Sequence, residues 1–282
     1  HKAIEIDPDV PTTYERLAEV YHHYLGRTAE AVEWQREAIT RDPEEFMGSI
    51  YHGVMYLDLG DTDTAERWFD RAASRMPPGF PFAEALNEPV LLRRGDIEAA
   101  LEFARQTIEF DPGGRHSMAN LRNDHLRNGR SAEARALYAR FYPELLDEDA
   151  PELNSHNHRA AVDLALVLLE TGETERARYL LERSLEYVGT IERLGINGYA
   201  IDDVLAYTML GQTDRAIRTL RQAVDDGWRG YWWVFLELDP ALDPLRDDPE
   251  FRSIVEEIRM DMAAQRQKLD QMRANGELPL IP

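Results

Sequence analysis

Small and apolar residues recur along this chain at helical spacing, broken at near-constant intervals by glycine and proline. Glycines 26, 60, 95 and 129 lie 34, 35 and 34 residues apart, and prolines 8, 43, 77 and 112 lie 35, 34 and 35 apart. This phase predicts pairs of helices: glycine ends the first of each pair, and proline, lacking an amide donor, stops the second. The clearest unit is GVMYLDLGDTDTAERWFDRAASRMP, residues 53–77, which carries Gly53, Tyr56, Gly60, Ala65, Phe69, Ala72 and Pro77. The small Gly53 and Ala65 let two helices approach, Tyr56 and Phe69 fill the space between them, and Asp61 or Thr62 caps the second helix. One pair cannot bury its apolar face alone, so such units stack.

Six units are expected, near residues 11–43, 53–77, 81–112, 115–142, 158–188 and 199–227. The first has Leu17, Ala18 and Tyr21 on one helix and Ala31 and Ala38 on the other, but its Gly26 comes one residue late. Ala3 and Pro8 repeat the spacing of Ala72 and Pro77, so the chain is expected to begin inside an earlier unit of a longer protein. From Gly129 to Gly172 the interval widens to 43 residues, and the surplus, 143–157, is acidic. The expected organisation is therefore 1–142, a loop or hinge at 143–157, two divergent units at 158–227, and 228–282. In that last part Trp228, Tyr231, Trp232 and Trp233 form an aromatic patch expected to cap the final unit. Homodimerisation through this patch and the final helix is the alternative. That helix, about 249–275, carries an apolar stripe at Phe251, Ile254, Val255, Ile258 and Met262. Its more polar second half is expected to project and fray.

The landmarks of residues 53–77 resemble those of the tetratricopeptide repeat, a 34-residue helix–turn–helix unit. The resemblance extends over about residues 3–227. It implies an all-α fold, a right-handed TPR-like superhelix (solenoid) of about six helical hairpins with a C-terminal helical cap, and a role in protein–protein interaction. The segment DPALDPLRDDPEF, residues 239–251, looks like the ending that follows such arrays in large bacterial signalling proteins. That implies a sensory or regulatory part, with a nucleotide cyclase, winged-helix or kinase domain upstream. Carried over from the family, the ligand-facing positions are Met47, Ile50, Val54 and Leu57, then Phe82 and Arg93, then His116, Asn123 and Arg127, then Arg159. The implied groove is apolar early and cationic in the middle, suited to an amphipathic helix or an extended segment with an acidic group. The lysine clamp of chaperone-binding members is not matched, because no lysine lies between Lys2 and Lys268.

A formal charge of −21 argues against nucleic acid or an anionic membrane as the main ligand. No apolar run approaches the length of a membrane span, and a cytoplasmic location is expected. There is no cysteine. His22-His23 and His156/His158 lack the i, i+4 spacing that sets two ligands on one helix face, and Asp147-Glu148-Asp149 lacks the glycine of a calcium loop. No Gly-x-Ser-x-Gly elbow is present. The residues therefore call for no cofactor, no metal and no catalysis, and for a protein or peptide as partner.

Overall fold

A computed structural model describes residues 2–77, 80, 86–110, 116–147, 150–195 and 197–278. Every regular element among them is a helix. In chain order the α-helices are α1 Lys2–Ile6, α2 Pro11–Glu19, α3 Thr28–Arg41, α4 Phe46–Asp58, α5 Thr62–Arg75, α6 Glu88–Arg94, α7 Ile97–Phe110 and α8 Ser117–Arg127. They continue as α9 Ser131–Phe141, α10 Glu144–Asp147, α11 His158–Glu170, α12 Thr174–Val188, α13 Asp202–Met209, α14 Thr213–Asp225 and α15 Pro249–Ala274. Among the described residues no helix is long and apolar enough to cross a membrane.

The helices pair as the periodicity predicts: α2 with α3, α4 with α5, α8 with α9, and α11 with α12. The turn glycines Gly26, Gly60, Gly95, Gly129, Gly172 and Gly211 all have φ between 64° and 83°. At Gly60 this left-handed residue ends α4, and Asp61 starts α5 by accepting from the Thr64 amide at 3.3 Å. Gly53 shows why a small residue stands there: a Cβ at this position would lie 2.5 Å from the Phe69 ring. The late Gly26 also has a physical cause. Helix α2 runs on into a π-turn, Val20–Tyr24, closed by Leu25 N–H to Val20 O at 3.2 Å, and this wider turn holds the extra residue.

The chain packs as two compact units. Unit 1 comprises His1–Ala100, Val224–Val234 and Ser253–Pro282; unit 2 comprises Leu101–Ala223 and Phe235–Arg252. Each thus joins repeats to part of the segment that follows them.

In unit 1 the core of the first two repeats includes Ala18, Ala31, Tyr56, Ala65, Phe69 and Ala72, and Ile258, Met262 and Leu269 of α15 are buried as well. The second half of α15 neither projects nor frays. Its Gln265 accepts from the Ala29 amide and donates to Gly26 O, both at 2.9 Å, which satisfies a first-turn donor of α3. Arg266 donates to Gly60 O at 2.5 Å, Arg273 to Asp61 at 2.8 Å, and Lys268 to Glu33 at 2.7 Å. Polar side chains spaced along this helix meet the turns of repeats one and two and, at Glu33, helix α3 itself. The paucity of apolar residues therefore marks a polar interface.

In unit 2 one apolar core gathers Leu101, Ile108, Leu121, Tyr138, Leu164, Leu168 and Leu181. The described part of 143–157 is anchored to it. Leu145 is fully buried, and its carbonyl accepts from Arg176 at 2.7 Å. Asn157 donates to Glu152 O at 3.1 Å while accepting from the Asn154 amide at 2.9 Å.

Candidate functional site

The positions assigned to a partner by family register lie in two different environments, open and self-occupied. The open part is on α4. Met47 is 39% exposed, and Ile50, Tyr51 and Val54 are half-buried, which gives an i, i+3, i+4, i+7 stripe along one helix face. At the N-terminal end of this stripe the Phe46 ring meets Phe80 edge-on, with centroids 5.8 Å apart. At its other end the stripe closes. Leu57 is fully buried and belongs to the core, which corrects its place among ligand-facing residues. Tyr51 was missed by register, although its spacing from Met47 puts both on one face.

Beyond Leu57 unit 1 is occupied by the chain itself. Buried Asp58 accepts from the Tyr231 amide at 2.9 Å, its carbonyl accepts from Trp232 Nε1 at 3.0 Å, and its Oδ2 lies 3.0 Å from His22 Nε2. Tyr231 takes a φ of 53°, a left-handed conformation costly for a bulky residue, and its bond to Asp58 helps hold it there. The Arg93 guanidinium stacks over Trp233 and Trp232, 4.8 and 5.8 Å from the ring centroids. Trp228, Trp232 and Trp233 are buried. Their rings are therefore inside unit 1 and are not presented to a second copy.

Unit 2 repeats the arrangement with other residues. His116 meets Phe235 edge-on at 6.4 Å, and Arg159 lies over the same ring at 5.9 Å. Arg127 donates to Leu238 O at 2.6 Å, and Arg159 also pairs with Asp202 at 3.2 Å. Asn123 accepts from Arg122 at 2.8 and 2.9 Å. Arg122, only 1% exposed, pairs with Asp163 and, at 3.0 Å, with Asp239. Burial alone would lower the pKa of Arg122, but the two carboxylates raise it, so the cation is retained. The polar residues nominated for a partner, Arg93, Asn123, Arg127 and Arg159, thus all hold intrachain contacts. Phe82 lies outside the described residues.

Buried histidines give unit 1 a pH response. Burial pushes His22 down to about 4. Burial, reinforced by Arg273, Arg36 and Arg71, pushes His52 down to about 3, and its ring packs 4.4 Å from Trp68. An unfolded histidine binds a proton below about pH 6.5, whereas these folded ones stay neutral, so their contribution is complete above that pH. It is lost as pH falls towards 4 and then 3. Asp58, pushed up by burial, acts in the opposite sense and stabilises least at high pH. All five tryptophans lie in unit 1, so their fluorescence reports its unfolding. The expected result is a melting temperature that falls from pH 6.5 to 4, with a shallower slope in His52→Gln.

Among the described residues no group of three or more histidine, aspartate or glutamate side chains could hold a metal ion. His158 instead lies with Nδ1 3.0 Å from Asn154 O.

Family models described as tetratricopeptide repeat match residues 11–45, and also 49–71, 90–106 and 158–183. No curated protein matches the chain. Among solved structures, one of Naa15/Naa10 bound to HypK-THB aligns at a TM-score of 0.31 and 16% identity, over 97% of this chain and 38% of that chain. The chain thus spans well under half the length of that protein. The TPR domain of P58(IPK) aligns at 0.25 and 13% identity, over 95% and 92%. These scores are low, and the repeat assignment rests on the family matches and the helix pairs.

Proposed function

Because this chain is a tetratricopeptide repeat protein, we propose that it is a protein–protein interaction module that seats its partner on the open face of α4. Such repeats are typically non-catalytic scaffolds. One observation carries the choice of surface. Met47, Ile50, Tyr51 and Val54 form an accessible apolar stripe on a first helix, while Arg93, Arg127 and Arg159 are engaged by the chain's own residues 232–238 or by Asp202. An aromatic hydroxyl beside aliphatic side chains is a usual composition for the centre of an interface. The likeness of residues 239–251 to the ending of bacterial signalling proteins supports placing the module in the regulatory part of such a protein.

The test is site-specific photocrosslinking. Met47→p-benzoylphenylalanine is expected to capture a partner protein in host lysate, and adding Val54→Asp is expected to abolish capture. The same photoprobe at exposed Glu182 of unit 2 serves as the control. Equal capture from positions 47 and 182, or capture insensitive to Val54→Asp, would overturn the choice of α4.

A further inference from the structure

The open stripe is bordered by carboxylates, and we propose that its partner is a cationic amphipathic segment. Its apolar residues would seat on Met47, Ile50 and Val54, while lysine or arginine reaches Glu15, Glu19 and Glu45. This inference rests on the reading of α4 as the binding face and adds the chemistry of the ligand.

Geometry places the charges. Glu45 is the N-cap of α4, and its two carboxylate oxygens accept from the Met47 and Gly48 amides at 2.8 and 2.5 Å. The anion is thereby fixed at the start of the stripe. Glu15 and Glu19 stand on α2, with Glu19 bonded to Arg16 at 2.6 Å. The Glu15 carboxyl feels Glu45 and Asp42 as well as Arg16, and the Tyr51 hydroxyl feels Glu19, Glu45 and Glu15. Glu15, Glu19, Glu45 and Asp42 therefore share this neighbourhood with Arg16, while Arg71 and Arg75 donate to the Pro43 carbonyl between Asp42 and Glu45. Burial raises the pKa of Glu15, and Glu45 raises it further, which is the mark of crowded like charges. A ligand cation relieves that repulsion, whereas an anion adds to it. A second copy of this chain, itself at −21, is disfavoured on the same ground. The cations that family register offers to an acidic ligand are engaged elsewhere, as described above.

The probes are two synthetic amphipathic peptides with identical leucine positions, one with lysine and one with glutamate at the polar positions. Binding to the full chain is measured by calorimetry at low and moderate salt. The lysine peptide is expected to bind, and the glutamate peptide to bind at least about tenfold more weakly. Glu15→Gln with Glu19→Gln is expected to weaken the lysine peptide about tenfold, and Glu182→Gln with Glu186→Gln on α12 by less than about twofold. Equal losses from both pairs would reduce the attraction to net charge and overturn the inference. Tight binding of the glutamate peptide that is lost on Met47→Ser would overturn the cationic partner while leaving α4 as the binding face. Lysine-peptide affinity unchanged by Met47→Ser would overturn α4 itself. Self-association on dilution analysis, abolished by Met47→Ser, would replace the cationic partner with a second copy. Unchanged circular dichroism shows that each variant is folded.

Discussion

Replacing Arg122 by alanine is expected to destabilise unit 2 by about 3–5 kcal/mol. The side chain is enclosed, with Asp163 and Asp239 on two of its nitrogens and Asn123 on the third edge. Asp239 is also an N-cap, accepting from the Ala241 amide at 2.9 Å at the start of the 3₁₀ turn Pro240–Leu245. Removing the guanidinium leaves two buried carboxylates facing each other, a loss far greater than the net value of the ion pair. Exchange of the buried α11 amides is expected to quicken by roughly 150- to 4,000-fold in the variant, since each 1.4 kcal/mol is a factor of ten. Burial already raises the pKa of Asp163 to about 6 beside Arg122, and loss of that cation removes the strongest influence that lowers it. The deficit is therefore largest at neutral pH and shrinks as pH falls towards about 4. Arg122→Met with Asp163→Asn and Asp239→Asn is expected to recover much of the loss. Arg122→Lys is not, because one ammonium cannot reproduce the planar fork.

The second large effect is at Trp232. Trp232→Ala is expected to destabilise unit 1 by about 3–5 kcal/mol, and to lower its fluorescence-detected melting temperature by about 10 °C. The indole is 2% exposed, donates to the Asp58 carbonyl at 3.0 Å and carries the Arg93 guanidinium on its face. Its loss creates a cavity and strands a buried acceptor at the point where the segment after the sixth repeat meets the second repeat. Limited trypsin digestion is expected to cut first after Arg229, which in the wild type is bonded to Asp261 at 2.9 Å. Trp232→Phe keeps most of the volume but loses the donor, and about 1–2 kcal/mol is expected.

Much of the array was legible because repeats write their geometry locally. Gly60, Ala65 and Phe69 each act within one helix pair, and even the one-residue offset of Gly26 is resolved by a π-turn a few residues away. The late segment was not legible for the converse reason. Arg122 and Asp239 are separated by 117 positions, and Trp232 and Asp58 by 174, and no periodicity links such pairs. Register tells which face of a first helix is free of its own repeat, but not what fills that face. Register offers Arg93, Arg127 and Arg159 to a foreign ligand, and the chain supplies Trp233, Leu238 and Asp202 instead. The polar second half of α15 reads as a fraying end in the sequence because an interface built on turn carbonyls leaves no apolar stripe.

That residues 228–239 are held by the repeats, and do not wait for a partner, is open to direct measurement. Amide hydrogen exchange at Tyr231 tests it most directly, because that N–H sits outside regular α-helix and its bond is to the buried Asp58 carboxylate. Exchange is expected to be as slow as at Tyr56 and Leu57 in the core of α4, and to be accelerated strongly by Trp232→Ala. Exchange of Tyr231 at the rate of an open loop in the wild-type chain would contradict it.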